Sequence, residues 1–388
     1  MNTTRNEDEL LVCVARRSLN ERLVARMKSL IKRGVDWDLL RTAAANHGML
    51  PLLYRHLNAA CPESVPPEVM DRLREESLTN SQKCLHLFSE LKRLLKLFEQ
   101  NGVTAVPFKG PVLSIAVYGD LALRPAGDLD ILIPASKFKV ARDLLTSAGY
   151  QPVSPLTESQ QEAQLRSHCE LLFHANDTSL VDLHWGLSPK TFPFGLDVQE
   201  VMNRCESSII QGTSMRTFSR EDTVLYLCYH GSKHYWSRLE WISSLAEFVR
   251  SNPRIDWPTV ISRAKGSHGR RMLALGLLLA QDLGDVELPE LTFLSRKEID
   301  FIRKCAAEFE ARLFAGGTGW PAQIEMFRYN LKIMDRKRDA IVGLLRSMLI
   351  PTISDWQAVA LPDPLYPLYY ALRPLRLLGK YSGLSRER

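Results

Sequence analysis

One change of rhythm constrains this chain more than any other feature. Up to Asn101-Gly102 apolar residues recur at helical spacing. From Val103 to Pro134 the sequence reads VTAVPFKGPVLSIAVYGDLALRPAGDLDILIP, and the pattern becomes strand, turn, helix, strand. Val103, Ala105, Val106 and Phe108 run into Lys109-Gly110. A helical stretch follows, then Arg124, then Asp128-Leu129-Asp130 leading into Ile131 to Ile133. A glycine turn between strand and helix can hold phosphate, and two carboxylates one residue apart on a strand can hold a divalent metal. Both within one short unit point to metal-dependent nucleotide chemistry.

The rest of the chain arranges itself around that unit. Residues 8 to about 100 predict helices: Leu10, Leu11, Val14 and Ala15 begin one apolar face, and Leu23, Met27, Leu30 and Ile31 continue the spacing. A helix is expected from Trp37 towards His47. A long one is expected from Val69 to Asn101, burying Leu85, Leu87, Leu91, Leu94, Leu95 and Phe98. Strands are expected at Thr104–Phe108, Leu129–Pro134, Glu170–His174 and Leu180–Trp185, the last two as a hairpin about Asn176-Asp177. A helix over Lys137–Ala148 lies between the second and third strands. From Ser219, a helix cap, onward the chain reads as helical again, including Asp256–Lys265, Arg270–Leu283, Arg296–Ala311, Trp320–Leu349 and Pro367–Leu378. The expected fold is therefore α/β (α+β): a small mixed sheet in residues 102–218, between an N-terminal helical region, 1–101, and a C-terminal helical domain, 219–388.

Composition narrows the class. With 388 residues and 45% hydrophobic content the chain can bury a real core. A net charge of +6 suits a phosphate-bearing ligand but is no mark of a nucleic-acid binder, because nothing in the sequence gathers it on one face. The seven cysteines are scattered and form no C-x-x-C pair, so reduced thiols are expected rather than a disulfide framework. The polar start, MNTTRNEDELL, lacks the features of a secretory signal, and no apolar run reaches the ~18 residues of a membrane span. A cytoplasmic protein is the expectation.

Strand alternation puts Asp128 and Asp130 on one side and Leu129 on the other. Two carboxylates so close repel unless a cation lies between them, and Mg²⁺ (or Mn²⁺) takes carboxylate oxygens together with phosphate oxygens. Asp182, flanked by apolar Val181 and Leu183 in LVDLHW, is the expected third carboxylate, ligating a second ion or taking the acceptor's proton. At the turn, Gly110 lets backbone approach phosphate, and Pro111 fits the first helical position. Lys109 or Arg124 could neutralise phosphate charge, although Arg124 also reads as an ordinary surface residue. The turn is neither a Walker A loop nor a Rossmann fingerprint.

A second constellation lies in HGSKHYWSRLEWI. His230, His234 and Arg238, spaced by four, would share a helix face with Lys233 and Trp241 beside them. That face could be a cleft wall, with Trp236 or Trp241 stacking on a base, or simply a set of structural histidines. His184 shares the face of Asp182, whereas Trp185 reads as core. Near the C-terminus, Tyr366, Tyr369, Tyr370, Arg373 and Arg376 mark a segment expected mainly to pack on the body, with a membrane or partner surface as the other reading.

Together these motifs resemble those of a bacterial family, the uncharacterised nucleotidyltransferases of the polymerase-β-like nucleotidyltransferase superfamily. The resemblance is carried by Lys109-Gly110, Tyr118, Arg124, Asp128-Leu129-Asp130, Asp182-Leu183-His184-Trp185, the segment His230 to Ile242, and Leu361 to Lys380. It implies a nucleotidyltransferase-type sheet and an enzyme moving a nucleoside monophosphate from a triphosphate such as ATP to an acceptor, with Asp128, Asp130 and Asp182 as catalytic and metal-binding triad. Lys109, Gly110, Arg124, His184, His230, Lys233, His234 and Arg238 would bind nucleotide. The chain departs from the wider superfamily in having Lys109-Gly110 where Gly-Ser is usual. A non-catalytic nucleotide-binding module and a phosphotransferase on the same fold are the alternatives. The acceptor is unknown, and nucleic acid is not expected as a partner.

Overall fold

The computed structural model describes residues 5–175, 179–192, 194–315 and 323–381. Five helices come first: α1 (Asn6–Val14), α2 (Glu21–Lys32), α3 (Trp37–Asn46), α4 (Leu50–Ala60) and the long α5 (Pro67–Gln100). Side chains of Asn20 and Asp36 cap α2 and α3 by accepting from backbone amides three residues on. The central region then runs β1 (Val106–Pro107), α6 (Gly110–Tyr118), β2 (Leu129–Leu132), α7 (Phe138–Ser147), β3 (Gln151–Pro152), α8 (Glu158–Ser167), β4 (Glu170–Ala175), β5 (Ser179–His184), α9 (Val198–Asn203), β6 (Glu206–Ile210) and β7 (Thr213–Thr217). The remainder is helical: α10 (Arg220–Lys233), α11 (Leu239–Ser251), α12 (Trp257–Gly266), α13 (Arg270–Gly284), α14 (Arg296–Leu313), α15 (Gln323–Ile333), α16 (Lys337–Leu349), α17 (Ile353–Ala358) and α18 (Tyr369–Tyr381).

The main sheet has the order β1-β2-β5-β4-β3. β1 is antiparallel to β2, β2 parallel to β5, and β4 antiparallel to both β5 and β3. The mixed α/β fold expected from the sequence is thus present, with the acidic strand beside the Asp182 strand. Residues 176–178, where the hairpin turn is expected, lie outside the described residues. The edge strand β3 and the separate hairpin β6–β7 carry too few alternating apolar residues to be read from sequence.

Alternation sorts the sheet's two faces. Leu129, Ile131, Ile133, Val181, Leu183 and Phe173 pack with Leu91, Leu94 and Phe98 of α5 and with Phe138, Ala141 and Leu145 of α7. The intervening residues, including Asp130 and His184, face the other way. Leu132, on that second face, joins a larger core formed by α1–α4, α6 and α10–α14 together. The first and last helical regions therefore share one apolar interior, stitched by Ser243 Oγ donating to Ala15 O at 2.7 Å and Leu239 N donating to His47 Nδ1 at 3.3 Å. All seven cysteines are free, and Trp185 is buried against Phe138. No helix among the described residues is long and apolar enough to cross a membrane.

Three expectations need correction. Leu85, expected on the buried side of α5, is 58% exposed, because Cys84, Leu87 and Phe88 take that side. The expected helix Trp320–Leu349, whose first residues lie outside the described ones, breaks between α15 and α16. There the Asp335 carboxylate accepts from the first amides of α13, Arg270 N at 3.1 Å and Arg271 N at 3.0 Å. The histidine-bearing segment His230 to Ile242 is not one helix: α10 ends at Lys233, and Tyr235 and Trp236 turn the chain with φ of 59° and 48°.

Candidate active site

The site forms where β2, β5 and the α6 turn meet. In the parallel pair the register sets Asp130 opposite Asp182 and Leu132 opposite His184, so the carboxylates of neighbouring strands share one face. His184 Nε2 lies 3.2 Å from Asp130 Oδ1 and 3.1 Å from Asp182 Oδ2. Ligand atoms of Asp130, Asp182 and His184 all fall within 4.8 Å of one another. Asp130 and His184 are almost wholly buried, whereas Asp182 keeps partial exposure. Asp182 Oδ1 is buried and has no hydrogen-bond partner. Asp128 sits one residue before β2, half-buried beside this group.

Lys109 precedes α6 and reaches back to Asp130, with Nζ 2.6 Å from Oδ1. Burial alone would pull the lysine's pKa down, but the Asp130 carboxylate, with Tyr226 and Asp182, holds it well above the usual range. Gly110 has φ +55°, and a Cβ there would stand 3.0 Å from Asp128 O. Glycine is required on both counts, by the left-handed backbone and by the close approach. The turn and the acidic strand are therefore built against one another.

Charges around the carboxylates are strongly differentiated. Burial, then the Asp130 charge, pushes Asp128 up to about 6. Asp130 is itself held well below the carboxylate range, because Lys109 and His184 outweigh its burial. His184 is pushed well above the usual imidazole value, burial being overcome by Asp182 and Asp130. Its other ring nitrogen, Nδ1, lies 3.3 Å from Glu170 Oε2, and Lys233 Nζ lies 3.9 Å from Glu170 Oε1. Glu170 is lowered to about 2, since His184 and Lys233 override desolvation.

The cationic residues separate into two groups. Arg124 is buried, and its guanidinium meets Glu240 Oε1 at 2.6 Å; Arg238 meets the other oxygen of Glu240 at 3.4 Å. Because α10 ends first, Arg238 precedes α11 instead of sharing a helix face with the histidines. The His230 and His234 rings lie tilted against one another, with centroids 4.6 Å apart, and Trp241 lies 5.5 Å and 5.3 Å from them. Burial, then Lys109, keeps His230 well below the usual value, and burial, then Lys233, lowers His234 to about 3. Both rings are neutral at ordinary pH. Trp236 is core, its indole lying where Gly231 leaves room.

The structure brings Asp130, Asp182, His184 and Lys109 into one cluster, with Asp128 and Gly110 beside it. Glu170, Tyr226 and Glu240 also belong to the charge network and were not singled out from sequence. Phe108 and Tyr226 close one side, with Lys109 Nζ 5.4 Å and 5.7 Å from their ring centroids. Glu170 pairs opposite His184 in the observed β4–β5 register, which the turn signal in the sequence did not specify.

The donor set fits a divalent ion. It contains adjacent carboxylates from two strands, one of them with a buried oxygen that has no hydrogen-bond partner, while His184 stands beside them as a cation rather than as a ligand. The lysine and histidine cations meet the carboxylates in the geometry described.

Among known proteins, no curated sequence matches the chain. The crystal structure of ANT(2")-Ia in complex with adenylyl-2"-tobramycin is similar at 15% identity, with a TM-score of 0.34, over 47% of this chain and 97% of that one. The solution structure of the antibiotic-resistance factor ANT(2'')-Ia is similar at 13% identity, with a TM-score of 0.30, over 45% and 88%. The family described as Uncharacterised nucleotidyltransferase matches residues 33–285, well over half of the sequence and all of the site just described, and the chain belongs to that family of nucleotidyl-transferring enzymes.

Proposed function

We propose that this enzyme moves a nucleoside monophosphate from a triphosphate to a hydroxyl or phosphate of a small-molecule, sugar or peptide acceptor, releasing pyrophosphate. The observation that carries the proposal is the parallel register of Asp130 with Asp182, which leaves Asp182 Oδ1 buried and unpartnered beside a second carboxylate. Asp128, Asp130 and Asp182 would hold Mg²⁺ or Mn²⁺, which when bound offsets charge on the triphosphate and leaving pyrophosphate. Lys109, fixed by Asp130 over the turn, offers an ammonium to a phosphate oxygen, and the α6 amides after Gly110 offer donors. The Asp182 carboxylate would take the acceptor's hydroxyl proton as the acceptor's oxygen bonds to the α-phosphorus. The bond from the α-phosphorus to the β-phosphate bridging oxygen breaks, and pyrophosphate leaves with the electron pair. Arg124, His230, Lys233, His234 and Arg238 would meet the nucleotide from the helical side. Of these, Lys233 and Arg238 are the more exposed cations and the better candidates for direct phosphate contact.

For the acceptor, a cavity of about 240 Å³ adjoins the Lys233 side of the site. Phe192, Tyr235, Met326, Phe327 and Leu344 supply apolar walls, and Lys233 and Asn330 supply polar groups. Asn330 Oδ1 is buried without a partner, which supports an acceptor presenting a hydrogen-bond donor there. The deciding experiment incubates the protein with Mg²⁺, triphosphate and a cell extract. Label transferred from the α-phosphate, with pyrophosphate release lost in Asp130→Asn, is expected. Label from the γ-phosphate would replace nucleotidyl transfer with kinase chemistry, and undiminished pyrophosphate release by Asp130→Asn would remove the proposed centre.

A further inference from the structure

The last helices carry a surface that the active site does not use. Eighteen large apolar residues are exposed among the described ones, and eleven of them lie between Ile341 and Leu378. On α16, Ile341, Leu345 and Leu349 recur every fourth residue and are 47%, 52% and 48% exposed. At that spacing they form one stripe along the helix. On α18, Leu375 and Leu378 are 64% and 66% exposed, and Leu368 just before it is 49% exposed. α16 and α18 pack on one another. The inward side of α18 is fixed by Arg373, which donates to Ser347 O at 2.9 Å and pairs with Asp355. The apolar stripes are thus the outward sides of a joined pair of helices. This stretch lies beyond residues 33–285, the part matched by the family.

The charge of the same stretch is one-sided. From Arg336 to Lys380 there are seven basic residues (Arg336, Lys337, Arg338, Arg346, Arg373, Arg376, Lys380) and three acidic ones (Asp339, Asp355, Asp363), which is 7 − 3 = +4 of the chain's +6. The acids have partners: Asp355 pairs with Arg373 and Arg376, Asp363 accepts from the Thr157 hydroxyl at the start of α8, and Asp339 lies 3.5 Å from Arg338. Lys337 and Arg338 stand one turn before Ile341 and Val342 on the exposed side of α16, and Arg346 lies between Leu345 and Leu349. The α16 stripe, edged by exposed Lys337, Arg338 and Arg346, together with the adjoining exposed leucines of α18, matches an anionic bilayer surface, where leucines enter the headgroup boundary and basic side chains meet lipid phosphates. A second copy fits less well, because facing copies would oppose their own basic residues.

We infer that the outward face of α16 and α18 docks this enzyme reversibly on anionic membrane surfaces. The contact lies in the plane of the interface and needs no spanning helix. It is independent of the proposed chemistry, because none of its exposed residues belongs to the acidic cluster.

The test is co-sedimentation of the full chain with vesicles of phosphatidylcholine alone, or with about a third phosphatidylglycerol. Binding to the anionic vesicles only is expected, and it should weaken as salt rises from ~0.05 to ~0.5 M. Leu345→Glu/Leu349→Glu/Leu375→Glu should lower partition at least ~10-fold while leaving the melting transition and pyrophosphate release in solution unchanged. Lys337→Glu/Arg338→Glu, which touches no apolar residue, should also lower it. No binding of the parent chain to anionic vesicles at low salt overturns the inference, as does equal binding to both lipids or undiminished binding of both variants. A parent chain that dimerises in solution through this face, with the leucine variant monomeric, overturns it in favour of self-association.

Discussion

At the scale of single residues, the site depends on a lysine and an aspartate that need each other. Lys109 and Asp130 are both mostly buried, and their 2.6 Å contact keeps each charge from being stranded. Removing one partner of a buried pair leaves an uncompensated charge, at a cost of about 3–5 kcal/mol. Lys109→Met should therefore destabilise the fold strongly, and Lys109→Met/Asp130→Asn should cost less than the sum of the single changes. Urea denaturation of the three variants checks this; strictly additive losses would mean the pair does not act as a unit. Gly110→Ala faces a different barrier, a left-handed backbone and Asp128 O at 3.0 Å. We expect about 1–2 kcal/mol of lost stability and a proportionally larger fall in kcat, since the methyl presses on the acidic strand. An alanine variant with full activity would show that the turn does not position Asp128. The carboxylates and this glycine were legible because alternation and turn chemistry are local. Glu240 was not, because it meets Arg124 only through tertiary packing across more than a hundred residues.

At the scale of elements, the decisive feature is the tight junction between α10 and α11. Sequence spacing alone favours a continuous helix through His230, His234 and Arg238, since every interval is four. What breaks it is Trp236, whose indole fits against Gly231 one turn earlier and against Gly276 of α13. A Cβ on Gly231 would come within 2.4 Å of that ring. The burial of one large aromatic outweighs helix continuity and throws Tyr235 and Trp236 into left-handed backbone. Helical periodicity cannot announce such a break, because no proline and no glycine stands at the break itself. Gly231→Ala should cost about 1–3 kcal/mol by overpacking. It should also shift the His230–His234–Trp241 cluster, visible as changed tryptophan fluorescence. A variant with parent stability and unchanged emission would mean that the turn tolerates a displaced indole. The strands themselves were easier to anticipate. Asp-Leu-Asp and Leu-Val-Asp-Leu-His alternate cleanly, whereas Gln151–Pro152 is too short to show a period.

At the scale of the whole molecule, one core joins α1–α4 to α10–α14, and burial lowers the pKa of five histidines around the fold. His47, His56, His168, His230 and His234 are all lowered, in each case first by burial, so the folded protein keeps them neutral. In the unfolded chain each regains a pKa of about 6.5. Below that pH the unfolded state binds more protons than the folded one, so stability falls as pH drops from about 6.5 towards the folded values. His184 has the opposite sign: its contribution is complete below the unfolded pKa and is lost only as pH rises through its raised folded value. Asp128 at about 6 and Glu310 at about 7 take protons earlier in the folded state and offset part of the loss. Five neutral histidines outnumber these two carboxyls and His184 together, and the ion-paired carboxylates such as Glu170 titrate below this window. The urea midpoint should therefore fall between pH 7.5 and 5.5. His56 offers the cleanest single test, because its Nε2 lies 2.8 Å from Arg16 O, far from the active site. His56→Gln keeps a donor for that carbonyl but cannot be protonated, so it should remove up to about 1.4 kcal/mol per pH unit from the slope below pH 6.5. A midpoint that rises on acidification, or a His56→Gln slope equal to the parent's, would mean that these imidazoles are not held neutral by burial.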